Sequence, residues 1–137
     1  MARDSIHTAV RTALEKDGWI ITNDPFYIES GGIEIEIDLA AEKFIIAEKG
    51  VNKILVEIKS LKRRSLLYDF HAAIGQYIDY RGVLMDEQIN RQMFLAIPDS
   101  VYQLMMTKPF YAKRLKENNV NLVIVDTLIE TVVQWIK

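Results

Sequence analysis

The first apolar rhythm along the chain is helical. Ile6, Ala9, Val10, Ala13 and Leu14 recur at steps of three and four on one face. Asp4 or Ser5 is placed to cap the start, and Gly18 to stop the helix in a left-handed turn. The rhythm then shortens. Residues 19–22 read as a strand, Asn23-Asp24-Pro25 is turn chemistry, and residues 26–28 form a short extended piece closed by Gly31-Gly32. Residues 33–39 alternate with period two, with isoleucines on one face and Glu34, Glu36 and Asp38 on the other. A second strand is expected over residues 43–47 and a turn over 49–52. A third strand covers 53–59, with Ile54, Val56 and Ile58 on one face and Leu55, Glu57 and Lys59 on the other.

The helical period returns over residues 65–86, with a spine of Leu66, Phe70, Ala73, Ile74, Tyr77, Ile78 and Arg81. Residues 92–97 read as a strand. Pro98-Asp99-Ser100 opens a short helix, and Pro109 opens another that ends near Asn118. Residues 122–126 and 131–136 form a terminal hairpin or strand pair. No repeat, low-complexity tract or boundary interrupts the pattern, so a single domain over residues 1–137 is expected. The order αβββαβααββ predicts an α/β fold with a central mixed β-sheet flanked by helices.

Composition narrows the chemistry. The chain has 137 residues and no cysteine, which excludes disulfide scaffolds, thiolate zinc sites and cysteine nucleophiles. It also fits a reducing compartment. Apolar runs are short, far below the ~20 residues of a membrane helix, and no leader pattern precedes the first helix. A cytoplasmic protein without membrane contact is the expectation. The net charge of −2 argues against a strongly cationic nucleic-acid coat protein. Its distribution is uneven. Residues 24–48 hold seven acids and one base; residues 49–64 hold six bases and one acid. Two solvated faces would explain this. So would a carboxylate metal site beside a phosphate-binding ridge.

The second explanation has candidate residues. Asp38 ends one strand, and Glu57 and Lys59 point the same way from another because strand side chains alternate. If Asp38 lies alongside, two carboxylates and an ammonium converge. Such a set suits metal-dependent phosphodiester hydrolysis: carboxylates hold a hard cation, Mg2+ or Mn2+, which activates water, and the lysine stabilises developing negative charge. An isolated E-x-K is commonly a solvated salt bridge. Here it sits in an apolar strand, where unpaired charge is costly. Gln76 and Tyr80 lie four apart on the following helix. Gly75 beside them costs ~1 kcal/mol in a helix, which suggests a close approach by another segment. Lys62, Arg63 and Arg64 are placed to meet nucleic-acid phosphates.

Residues 32–39 with Asp38, the Glu57-Ile58-Lys59 triplet and the Gln76-x-x-x-Tyr80 pair together resemble the PD-(D/E)XK nuclease superfamily. The resemblance implies a restriction-endonuclease-like fold, with Asp38, Glu57, Lys59, Gln76 and Tyr80 as catalytic residues. In resolvase-like members a glutamate of the first helix often completes the metal site; His7 stands at that place here, a poorer ligand for magnesium. The resemblance therefore implies a metal set of Asp38, Glu57 and His7. Arg3-Asp4-Ser5-Ile6-His7, the segment 55–60, Asp69-Phe70-His71-Ala72-Ala73-Ile74-Gly75-Gln76-Tyr77 and the Ala96-Ile97-Pro98 turn also resemble a narrower family over nearly the full length. That family is XisH, the fdxN element excision controlling factors of cyanobacteria. This implies programmed DNA excision, alongside a site-specific recombinase and an XisI-type companion factor.

Other signals are weaker. His7 and His71 are the only histidines, and each reads as a helix-surface residue. No nucleophile elbow, P-loop or dinucleotide fingerprint is present. Phe70, Tyr77 and Phe110 fall at packing positions. Val101, Leu104 and Met105 face either a core or a homodimer partner. Three readings remain open: a metal-dependent DNA nuclease, a DNA-binding module without catalysis, and a protein-interaction subunit of an excision complex.

Overall fold

The computed structural model describes residues 2–137, with side chains from Ser5 onward. Helix α1 (Ala2–Lys16) begins earlier than the capping pattern suggests, so Asp4 and Ser5 lie inside it and do not cap it. Its end is as expected. Gly18 adopts φ +94°, its N–H donates to the Glu15 carbonyl, and the Trp19 N–H donates to that of Leu14.

Strands β1 (Ile20–Asn23), β2 (Phe26–Ser30), β3 (Ile33–Ile37), β4 (Leu39–Ile45) and β5 (Gly50–Ile58) precede helix α2 (Leu66–Asp86). Then come β6 (Gln92–Pro98), α3 (Asp99–Met105), α4 (Pro109–Glu117), β7 (Leu122–Asp126) and β8 (Thr131–Ile136). The order is αβββββαβααββ, with five strands between the first two helices where three were expected. One six-stranded sheet runs β1-β4-β5-β6-β7-β8, parallel at β5-β6 and β6-β7 and antiparallel elsewhere. Helix α2 makes the first parallel crossover and α3–α4 the second, so a mixed sheet flanked by helices is observed.

The correction concerns residues 33–39. They are not one strand. Residues 33–37 pair with β2 as a separate two-stranded ribbon, and Leu39 opens β4 of the main sheet. The alternation continues through a change of sheet, and Asp38 occupies the bend. The next hairpin is displaced as well. Strand β4 stops at Ile45, a 3-10 turn covers Ile46–Glu48, and Lys49 turns the chain at φ +50°. Strand β5 therefore starts at Gly50, inside the expected turn.

Each face of the main sheet carries a core. On one, Ala40, Leu55, Leu95, Ile97, Leu122 and Ile124 meet Phe70, Ala73 and Tyr77 of α2 with Met105, Tyr111 and Leu115. Ile28 and Ile37 anchor the ribbon there. On the other, Leu39, Ala41, Ile54, Val56, Ala96 and Val123 meet Val10, Ala13 and Leu14 of α1. Val101 and Met105 are buried in the first core, so the α3 face is accounted for by packing. The Asp17 carboxylate accepts from the indoles of Trp19 and Trp135 at 3.3 and 3.2 Å, tying the end of α1 to β8. No described helix is long and apolar enough to cross a membrane.

Candidate functional site

The site forms where the ribbon meets the main sheet. Leu39 pairs with Val56, which sets Asp38 beside Glu57. Two bonds then cross the bend between Asp38 and the end of β5. The Asp38 N–H donates to Glu57 Oε1 at 3.2 Å, and the Ile58 N–H donates to Asp38 Oδ2 at 2.7 Å. These bonds satisfy backbone groups that the break between β3 and β4 would leave open. Asp38 thus turns the chain and presents its carboxylate at the same point.

Glu57 lies on the same sheet face as Leu55, under α2, and is only 6% exposed. Lys59 projects to the same side, with Nζ 3.4 Å from Glu57 Oε2. The Lys59 N–H donates to the Ala96 carbonyl at 2.9 Å, so the parallel ladder holds its backbone. Burial, reinforced by the charge of Asp38 and only partly offset by that of Lys59, pushes the Glu57 carboxyl up from 4.5 to about 7. Helix α2 supplies the far wall. Gln76 Nε2 donates to Tyr80 Oη at 3.0 Å, while Gln76 Oε1 is buried without a hydrogen-bond partner. Burial, with the charge of Glu57, raises the Tyr80 hydroxyl.

These groups open onto a cleft of about 800 Å³. Asp38, Glu57, Lys59, Gln76 and Tyr80 all line it, so five of the expected residues are brought together. Three further carboxylates were not singled out as site residues: Asp79, Glu34 and Glu36 also line it. Asp79 stands three residues from Gln76 on one helix, a signal that was available. Glu34 and Glu36 share the polar face of β3 with the approach to Asp38. Gly75 is not a point of close approach, since a Cβ there would meet nothing within 4 Å.

Two expected groups lie elsewhere. His7 does not join the carboxylates; its Nε2 bonds Asp24 Oδ1 at 2.7 Å, beside Arg11, whose guanidinium reaches Asp24 Oδ2 at 2.7 Å. Burial alone would raise the Asp24 carboxyl, but the Arg11 and His7 hydrogen bonds outweigh it and hold the group below its usual range. Among the described residues, no three His, Cys, Asp or Glu side chains gather as a metal-binding group. Of the expected set of Asp38, Glu57 and His7, the structure brings only the two carboxylates together. Lys62, Arg63 and Arg64 follow β5 but do not line the acidic cleft; Arg63 and Arg64 border a second groove at the start of α2.

Fold and site define a mixed-sheet α/β protein with a carboxylate–lysine cleft at a sheet break. The family model described as XisH protein matches residues 1–133. The chain belongs to the XisH family. Among solved structures it is similar to an XisH family protein from Nostoc punctiforme, at 42% identity and a TM-score of 0.85, over 97% of this chain and 99% of that one. It is also similar to an fdxN element excision controlling factor protein from Anabaena variabilis, at 38% identity and a TM-score of 0.87, over 98% and 99% of the two chains. Among curated proteins, none matched the chain.

Proposed function

We propose that this protein is an fdxN-type excision controlling factor that acts on DNA through a PD-(D/E)XK nuclease-like site. The observation that carries the reading is the pair of crossing bonds, Asp38 N–H to Glu57 Oε1 and Ile58 N–H to Asp38 Oδ2, with Lys59 Nζ 3.4 Å from Glu57 Oε2. The donor set suits a hard, largely hydrated cation such as Mg2+ or Mn2+, held by Asp38 and Glu57. Burying Glu57 beside Asp38 is electrostatically costly, and a cation would offset that cost. Such an ion supplies Lewis-acid polarisation and an activated water. Lys59 contributes an ammonium that stabilises charge appearing on phosphoryl oxygens in the transition state. Gln76 and Tyr80 bond each other at the rim and orient groups entering the cleft. In this reading the protein works beside a site-specific recombinase and an XisI-type companion factor, as the family resemblance implies.

A second reading, a catalytically silent DNA-binding or protein-interaction subunit, is favoured by one observation: His7 is held by Asp24, away from the other two members of the expected metal set. Incubation of supercoiled and branched DNA with Mg2+ or Mn2+ separates the two. The nuclease reading expects nicking that falls ~100-fold or more in Lys59→Ala with the fold retained. An inactive wild type whose Lys59→Ala variant is merely destabilised would refute it and leave the second reading.

A further inference from the structure

A second groove, of about 500 Å³, lies between the start of α2 and the α3–α4 connection. It shares no lining residue with the acidic cleft. Its volume falls within the roughly 300–1,000 Å³ range of ordinary ligand sites. Its charge is one-sided: Arg63, Arg64 and Lys108 line it, and no acid does. All three are exposed, and none forms an ion pair with a described residue.

The groove also holds an unpartnered aromatic. Tyr68 is 78% exposed, and Leu67 beside it is 49% exposed. The other rings near this end of α2 do have partners. Phe70, Phe110 and Tyr111 pack edge-on at 4.9 to 6.2 Å between centroids. Tyr68 belongs to no such cluster, so its face is free for a planar ligand.

The segment between the two sites is held in place. Leu61 is 3% exposed and takes φ +51°, a left-handed conformation that is unfavourable for a non-glycine residue. The next N–H, that of Lys62, donates to Asp69 Oδ2 at 2.9 Å. Buried Leu61 and the Asp69 bond turn the chain sharply after Lys59. Arg63 and Arg64 are thereby directed to the α2–α4 groove and away from the acidic cleft.

We infer that this groove binds a single-stranded segment of nucleic acid, with a base stacked on Tyr68 and flanking phosphates on Arg63, Arg64 and Lys108. The inference rests on the DNA-acting reading above and deepens it by naming the substrate class. A duplex offers phosphates but keeps its base faces stacked, so it gives Tyr68 nothing to cover. A single strand offers both, and aromatic platforms with cationic tracks bind it with little sequence preference. An acidic peptide would satisfy the cations and leave the ring unused.

Anisotropy titrations of the full chain in EDTA test this. The probes are a labelled mixed-sequence single strand, the matching duplex and poly-glutamate. Single-strand binding is expected to weaken roughly ten- to a hundredfold in Tyr68→Ala and to persist in Tyr68→Phe. Duplex binding should hold within about twofold, since stacking contributes nothing to it. The triple change of Arg63, Arg64 and Lys108 to alanine should flatten the single-strand salt dependence by about 2 in slope, at roughly 0.7 per phosphate. These residues are exposed, so the variants should fold. Equal binding of both DNA forms with no effect of Tyr68→Ala would overturn the inference and leave the DNA-acting reading intact. Binding of neither form would overturn both. Poly-glutamate binding tighter than that of the single strand, with Tyr68→Ala affecting neither, would reassign the groove to an acidic peptide.

Discussion

Replacing Glu57 with glutamine should flatten the pH dependence of stability near neutrality. The folded carboxyl titrates near 7, against 4.5 for an unperturbed group. The folded state therefore holds its proton more tightly than the unfolded chain does. That stabilisation is fully present below pH 4.5 and is lost as pH rises through 7. At ~1.4 kcal/mol per pH unit the full effect is on the order of 3 kcal/mol, and about 2–3 kcal/mol of it falls between pH 5 and 8.5. For a chain of this size that amounts to roughly 10 °C in Tm. The glutamine side chain would be neutral throughout, and its carbonyl would still accept the Asp38 N–H. Lys59 would lose its carboxylate partner, a small cost because its head reaches solvent. Thermal unfolding in EDTA across this range is the assay. Wild type should lose stability toward alkaline pH, Glu57→Gln should lose less, and the variant should melt higher at pH 8.5. Parallel pH profiles would show that Glu57 carries no such penalty and would refute the electrostatic account of the site.

Millimolar Mg2+ or Mn2+ should raise Tm at pH 8 in wild type and not in Asp38→Asn; an equal rise in both, followed by scanning fluorimetry, would place the metal elsewhere. Asp17→Ala should cost about 1–3 kcal/mol, because the Trp19 and Trp135 indoles lose their shared acceptor; denaturant unfolding measures the loss, and Asp17→Asn should recover part of it. Gly75→Ala should stabilise the protein by about 0.5–1 kcal/mol, since the position is helical and the added methyl meets nothing. A destabilised Gly75→Ala would show that the helix there is strained.

Periodicity made the elements legible wherever one period governed one neighbourhood. The apolar stripe of α1 and the spine of α2, apart from the exposed Ile78, were each read from spacing, because a single packing surface dictates each. Residues 33–39 show where this stops. A period-two pattern records which side of a strand is apolar. It does not record which sheet the strand joins. The alternation puts Ile35, Ile37 and Leu39 on one face, yet Leu39 packs in the opposite core, and nothing in the pattern marks that change at Asp38. The convergence of Asp38, Glu57 and Lys59 was readable because one hairpin register brings it about. Asp79 lay within reach of the same helical logic as Gln76 and Tyr80. The position of His7 did not, since the Asp24 contact joins elements 17 residues apart through tertiary packing.

The small net charge conceals a separation that the fold maintains. The acidic stretch supplies Glu34, Glu36 and Asp38 to one cleft, and the basic stretch supplies Arg63 and Arg64 to another groove. Only Lys59 crosses, and it stands as the single cation among five carboxylates. Without a divalent ion that cleft disfavours a phosphate backbone, because acids outnumber bases in its lining. On the proposed DNA-acting reading, attraction to DNA originates at the second groove, where no acid opposes Arg63, Arg64 and Lys108. Leu61 fixes the path between the two, so on that reading docking and chemistry fall on adjacent but distinct surfaces. A pI of 5.7 is thus compatible with DNA binding, because affinity depends on the local field at the groove and falls off within a Debye length of ~10 Å.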